Sequence, residues 1–403
     1  MTKGCDDDII NEKKRASQMY DNSVLLQLQK NVIANGIAAG NALLYGDKNG
    51  VIFNSCMGVS EAEKMTPVSD ETYFHHYSMT KIFTVVSALI LYEKGLLDLD
   101  GDVSRYLPAY ADLTVYDNRM IRRAENRMTV RHLFTMTSGL TYLTDDFGGR
   151  VAEFERRFRA GAWDTVRFAE ELASVPLAFE PGTQFRYGLS HDVLGALIEI
   201  ISGQTLDRFF DEYIFRPLGM NDTYFYRKLP AEKEKLLAKN TAFIGGRYVN
   251  IPLPSRPVPC FENTGDNKVL SGGSGLVGTA SDYARFLAAL LSDGGGLIKP
   301  ETLELMTRPA LTPEQRKTYN KKEFDSSSFG DEHTFALGVR VQDKEAPSGS
   351  VGEYGWSGAL GTWFFIDVRD GMWFLYMHQH TPARHGEYIC RLRDAFYNGG
   401  IGI

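Results

Sequence analysis

The 403-residue chain is short of several things, and each shortage excludes something. It has four cysteines, Cys5, Cys56, Cys260 and Cys390, far apart and without a CxxC step. Neither a zinc site nor a disulfide framework is therefore expected, and the thiols read as free in a reducing compartment. No apolar run approaches the roughly 20 residues that a membrane-spanning helix needs; the best, Ile82 to Leu91, is short and reads as a buried helix. Excess positive charge is missing too: the formal net charge is -7, and Lys and Arg are scattered, so no basic surface for nucleic acid is expected. The start, Met1-Thr-Lys-Gly-Cys-Asp-Asp-Asp, puts acids where a secretory signal has a cationic and then an apolar stretch, and the expected location is cytoplasmic. Among eight histidines the close pairs are His75-His76 and His378-Gln-His380, with no HExxH nearby, so no metal is expected. His378 and His380 alternate as strand residues that can chelate, but surface or packing roles fit them better.

What remains is ordinary globular material, 43% hydrophobic and 24% charged, enough for one large domain or two lobes sharing a core. Ile37 to Tyr45 and Val51 to Met57 are apolar segments joined through an Asn-Gly step that supplies the positive φ of a hairpin turn. Thr362 to Asp367 and Met372 to His378 repeat the pattern around Asp370-Gly371, followed by a helix from Glu387 to Tyr397. Strands near both termini suggest one sheet closed by both ends. Between them the periodicity is helical over Val130–Met136, Ala152–Arg159, Thr165–Ser174, His191–Ser202 (ended by Gly203) and Leu206–Phe215. This middle section reads as an all-helical lobe. The proline-rich stretch Ile251 to Pro259 and the polar stretch Thr312 to His333 read as loops.

Ser78-Met-Thr-Lys81 is the one Ser-x-x-Lys in the chain, although about one such match is expected by chance. Its setting is more informative, because it opens the apolar helix Ile82 to Leu91 and so places Ser78 at the helix N-terminus. Unpaired amides and the positive end of the dipole there favour a nucleophilic hydroxyl and a developing oxyanion. Lys81 shares a face with Ser78, and in the first turn of a buried helix its ammonium form is disfavoured, which suits a base. The plain alternative is an N-cap serine and a lysine that snorkels to solvent.

Two further segments bear on that choice. Tyr187 follows a Pro-Gly turn and precedes the helix near His191; beside a lysine its phenol can take and return a proton, though a tyrosine packing at a helix start is the commoner case. Tyr354-Gly-Trp-Ser-Gly-Ala-Leu-Gly-Thr362 surrounds an aromatic with glycines just before a strand, which suits either close backbone approach to a ligand or a tight turn with Trp356 in the core. His75 and His76, just before Ser78, are candidates to line a pocket.

Together these segments resemble the class C branch of the serine β-lactamase and DD-peptidase superfamily, and in particular its family VIII carboxylesterases. Four other stretches are similar to that family: Leu96 to Pro108, Met128 to Leu140, Arg216-Pro-Leu-Gly-Met220 and Gly272-Gly-Ser-Gly-Leu-Val277. The resemblance implies an α/β protein of the α+β type with the β-lactamase/DD-peptidase-like fold: a central antiparallel sheet flanked by helices, residues 1–105 and 240–403, packed on a helical lobe, residues 106–239. It implies Ser78 as nucleophile, Lys81 and Tyr187 as the acid-base pair, the backbone amides of Ser78 and Ala359 as oxyanion hole, and no cofactor or metal. Trp356, Ser357, Gly358, Leu189, Tyr77 and His76 are then the candidates for substrate contacts.

Two departures bear on substrate. The family's lactamase branch has Tyr-x-Asn where this chain has Tyr187-Gly188-Leu189, and Lys-Thr-Gly where this chain has Trp356-Ser357-Gly358. The cation that grips a lactam carboxylate is lost. A small uncharged ester is the expected substrate and partner; a β-lactamase, D-amino-acid peptidase or acyltransferase of the same fold is the alternative, and a non-catalytic binding protein the third. Oligomeric state has no signal in the sequence.

Overall fold

The computed structural model describes residues 22–253, 266–319 and 331–398. Eight strands form one antiparallel sheet: β1 (Gly40–Asp47), β2 (Gly50–Glu61), β3 (Thr66–Pro67), β4 (His333–Phe335), β5 (Arg340–Gln342), β6 (Tyr354–Gly358), β7 (Thr362–Asp367) and β8 (Met372–Met377). Their order in space is β4-β5-β6-β7-β8-β1-β2-β3, so the last strand of the chain pairs with the first, Leu375 opposite Leu44. The sheet is thus closed from both ends of the chain, and the two hairpins expected from their Asn-Gly and Asp-Gly steps are β1-β2 and β7-β8.

Successive side chains of a strand point to opposite faces, and here both faces are covered. Leu43, Tyr45, Trp363, Phe365, Phe374 and Tyr376 pack outward on helix α1 (Asn22–Ala34) and on the C-terminal helix His385–Asn398. Ala42, Leu44, Phe364, Ile366, Leu375 and Met377 face inward to the main core. That is why these strands read as unbroken apolar runs. Truncating one of these buried leucines to Ala costs about 2–5 kcal/mol.

The inward layer contains helix α2 (Lys81–Glu93), which is buried from Lys81 through Leu91, and helix α3 (Ser190–Ser202), which packs against it and stops at Gly203 in a left-handed C-cap. The helices Arg150–Ala160, Thr165–Leu172 and Leu206–Phe210 lie in the expected region; the last continues as a π turn, Asp211–Phe215, rather than as α-helix. That middle section is mostly but not wholly helical. It also carries a hairpin, Thr114–Asp117 with Met120–Arg123, whose turn residues Asn118 and Arg119 both have positive φ, and a strand, Thr223–Phe225. The strand joins Tyr73–His75 and Leu276–Thr279 in a second, three-stranded sheet. Strands of three or four residues with distant partners leave no local periodicity to read.

One loop expectation comes out differently. Within Thr312–His333 a helix, Pro313–Thr318, is set by a reciprocal capping box between Thr312 and Gln315 with proline in its first turn. Most of the proline-rich stretch, and the rest of the polar one up to residue 330, lies outside the described residues. Cys56 is a free thiol and Cys390 forms no disulfide among the described residues, while Cys5 and Cys260 lie outside them. Among the described residues no helix is long and apolar enough to cross a membrane, and no group of three or more His, Cys, Asp or Glu could hold a metal ion. His378 packs against Tyr376 and Tyr388, and His380 bonds Thr241 through Nδ1 at 3.0 Å.

Candidate active site

Strand Tyr73–His75 delivers the chain to the site, and the His76 amide extends its pairing by bonding Leu276 O at 2.9 Å. Tyr77 then takes φ 47°, a left-handed conformation that costs a non-glycine residue about 1–3 kcal/mol. The reversal starts a 3₁₀ turn, Tyr77–Thr80, that runs directly into α2. Thr80 anchors it by accepting the Leu276 amide through Oγ1, and the Tyr283 hydroxyl caps Met79 O. From Thr72 to Leu91 every residue is buried except Ser78, which is partly open. The strain therefore presents one hydroxyl at the surface of an otherwise closed core.

Lys81 is 1% exposed, and its Nζ donates to three oxygens: Ser78 Oγ at 3.2 Å, Tyr142 OH at 3.0 Å and Gly273 O at 2.8 Å. It does not reach solvent, which removes the snorkelling alternative. Its Nζ also lies 4.6 Å from the centre of the Tyr187 ring, over the aromatic face. Tyr187 and Tyr142 meet edge to face at 5.5 Å. The Tyr187 oxygen accepts the Trp356 indole N–H at 2.8 Å, so strand β6 is tied to the phenol through the residue that replaces the lysine of the lactamase motif.

The end of β6 comes up against the segment that carries Ser78. A Cβ on Gly358 would lie 2.3 Å from His76 O, so only glycine permits this approach, and Thr362 Oγ1 donates to the same carbonyl at 3.2 Å. Ala359 follows on the exposed side, with Ser357 half-buried before it. A family model described as Beta-lactamase matches residues 28–395. The chain belongs to the beta-lactamase family.

Relatives of this beta-lactamase-family chain include esterase EstB of Burkholderia gladioli, 29% identical over 375 residues and covering 86% of this chain and 88% of that protein. Another is ML-236A carboxylate methylbutanoyltransferase of Penicillium citrinum, 31% identical over 293 residues, covering 70% and 68%. Among solved structures, EstCE1, described as a hydrolase with promiscuous acyltransferase activity, superposes with a TM-score of 0.77 at 24% identity over 93% of this chain and 98% of that one. The last likeness is one of fold, the beta-lactamase and penicillin-binding-protein fold. The family around this chain thus contains esterases and acyltransferases.

Within this beta-lactamase-family site the remaining expected residues fall into two groups. Ser78, Lys81, Tyr187 and Trp356 come together. Leu189, His76 and Tyr77 are instead core residues: Leu189 is fully buried at the start of α3, His76 is fully buried edge-on to Tyr283, and Tyr77 is packed beside His75. Burial pushes His75 and His76 down to about 3, so both rings are neutral at pH 7.

Sequence reasoning missed Tyr142, Gly273 and Asp192. Burial, then the nearby Tyr187 and Asp192, hold the Tyr142 phenol well above its usual range, although a hydrogen bond with Ser78 works the other way. Tyr142 is therefore a neutral hydroxyl in contact with both Ser78 and Lys81. Its one signal was its place two residues after Leu140, just beyond the resembling stretch Met128 to Leu140. An Asp145–Arg186 ion pair at 2.6 Å ties its loop to the Tyr187 segment.

Proposed function

We propose that this chain hydrolyses uncharged carboxylic esters through an acyl-enzyme on Ser78. The observation that carries the reading is the 3.2 Å bond from a buried Lys81 to the one accessible side chain of its segment. Ser78 Oγ attacks the ester carbonyl and its proton passes to the Lys81 and Tyr187 pair, with the Tyr142 hydroxyl bridging them. The tetrahedral oxyanion rests on the amides of Ser78 and Ala359. The Trp356 N–H aimed at the Tyr187 oxygen stabilises charge developing there during transfer. Tyr187 then protonates the departing alcohol, and water releases the acid by the reverse relay.

Trp356 also favours an ester over a lactam, because the indole stands where a cation would grip a carboxylate, and the relatives that are esterases support the same choice. A second outcome for the same acyl-enzyme is capture by an alcohol instead of water, favoured by the relatives described as acyltransferases. The test is a parallel assay of p-nitrophenyl esters of varied chain length, nitrocefin and a D-Ala-D-Ala peptide, each with Ser78→Ala as control. Ser78-dependent ester turnover is expected to dominate; nitrocefin turnover at a comparable rate, or ester turnover that survives in Ser78→Ala, overturns the reading. Added short alcohols divide hydrolysis from transfer.

A further inference from the structure

Behind Lys81 lies a carboxylate that the cycle above does not use. Asp192 sits in the first turn of α3 and is 3% exposed. Its Oδ1 accepts the Ser271 hydroxyl and, at 3.3 Å, the Gly273 amide, while Oδ2 has no hydrogen-bond partner. The Ser271 hydroxyl is in turn 3.1 Å from that of Ser274. Gly272 and Gly273 run between the two helices: Thr84 of α2 donates to Gly272 O at 2.6 Å, and Lys81 donates to Gly273 O at 2.8 Å. A Cβ on Gly273 would lie 2.5 Å from Asp192 Oδ2, so a glycine is required for the peptide to pass so close. Gly273 thus has the carboxylate at its N–H and the lysine at its C=O, on the two peptide units that flank its Cα.

A buried carboxylate with a free oxygen is strongly disfavoured unless a countercharge compensates it. Burial raises the Asp192 carboxyl above its usual range, and the Lys81 charge, followed by the bonds from Ser271 and Gly273, pulls it back. The titratable groups coupled to it are Lys81 from α2 and Tyr142 from the segment before Leu143; the glycine loop faces it with Ser271, Gly273 and Ser274. All three bonds of Lys81 go to Ser78, Tyr142 and Gly273, so Asp192 acts on the lysine across the Gly273 residue rather than by contact.

We infer that Asp192 is a positioning residue for Lys81: it holds Gly273 so that its carbonyl faces the lysine, and it supplies the countercharge for the Lys81 ammonium. The inference rests on the esterase reading of the same site. It deepens that reading by giving the lysine a fixed orientation and a charge partner that does not compete with Ser78 for its protons.

The test uses the full chain and two readouts, ester turnover and the rate at which a fluorophosphonate probe labels Ser78, each followed across pH. Asp192→Asn keeps the shape and the acceptor oxygen and removes the charge. The expected result is a fall of about tenfold or more in kcat and in labelling rate, little change in KM, and an ascending pH limb displaced about one unit to lower pH. A role in packing alone does not move that limb. Ser271→Ala, a milder change that leaves the carboxylate with one donor fewer, is expected to shift the limb the same way by less. A folded Asp192→Asn with the wild-type rate and limb overturns the inference; if that variant does not fold, an unmoved limb in Ser271→Ala does so. Labelling without ester turnover defeats the substrate reading but leaves Asp192 testable through the labelling rate, and a wild type that is neither labelled nor active overturns both.

Discussion

Two clusters of buried charge among the described residues handle it in opposite ways. At the β5-β6 edge Glu353, fully buried, is held directly by two guanidinium groups: Arg340 at 2.9 Å and Arg393 at 3.0 Å. Tyr397 donates to both Glu353 and Asp367, and Gln342 takes a further Arg393 N–H at 2.5 Å. Glu353 meets two cations by contact, and neither arginine can move a proton to it at neutral pH, because arginine does not release one. Around Lys81 the cation is bonded to two hydroxyls and a carbonyl, with its carboxylate on the other side of Gly273. The first arrangement fixes the end of the sheet to the C-terminal helix. The second keeps a lysine buried but leaves its protons facing oxygens that can exchange them.

This contrast can be broken most sharply at the nucleophile. Ser78→Ala should abolish ester hydrolysis, by at least about 10⁴-fold in kcat, while the melting temperature stays within a few degrees, since a partly open hydroxyl carries little of the core. Glu353→Ala should do the reverse. It strands two buried guanidinium groups and is expected to cost about 3–5 kcal/mol of stability, read by urea unfolding, with kcat well below the melting temperature within about twofold of wild type. A Glu353 variant that melts normally but loses activity would show that the two clusters are not separate in function.

A smaller effect sharpens the division of labour inside the site. Tyr142→Phe removes the neutral hydroxyl that touches both Ser78 and Lys81, and kcat for ester hydrolysis should fall by about 10- to 100-fold. Tyr187→Phe should cost more, because Tyr187 is assigned the proton for the leaving alcohol; using an activated leaving group such as p-nitrophenol should narrow the gap between the two variants. Equal losses that ignore the leaving group would mean that both phenols only shape the site.

Much of this was legible because the relevant residues act locally. The hairpins announced themselves by Asn49-Gly50 and Asp370-Gly371, and α2 by an unbroken apolar run that is apolar because both its neighbours are core. Ser78 and Lys81 could be paired from helical spacing alone, and Tyr187 with Trp356 from the company of motifs. Residues acting across long sequence distances were not legible. Gly273 meets Lys81 192 positions away, and nothing near Gly273 marks its carbonyl as a partner. Asp192 left a trace that went unused: an aspartate in the first turn of α3, where nearly all its neighbours are apolar and every residue through Ile198 is buried. His76 and Leu189 were misjudged for the same reason, since adjacency to the nucleophile or to Tyr187 in sequence says nothing about which way a side chain turns.

The smallest expected difference between the variants is in their pH dependence, which separates the clusters by their titration. Burial, the leading cause in each case, pushes His75, His76 and His191 down to about 3 and His380 to about 4, and it drives His378 well below its usual range. In the unfolded chain these rings take a proton below about pH 6.5. Between that value and the folded ones the unfolded state binds more protons, so stability is fully present above about pH 6.5 and is lost as pH falls toward 3. Each ring contributes a slope of up to about 1.4 kcal/mol per pH unit. The raised Asp192 carboxyl works in the opposite sense over the lower part of that window, because its folded form holds a proton longer. The arginines of the Glu353 cluster do not titrate here. Melting temperatures of wild type and Glu353→Ala measured from pH 7 to pH 4.5 should therefore fall along parallel lines, the variant offset downward throughout. A flatter line for the variant would mean that Glu353 and its partners carry part of the acid response, and the distinction between a fixed cluster and a proton-exchanging one would fail at that point.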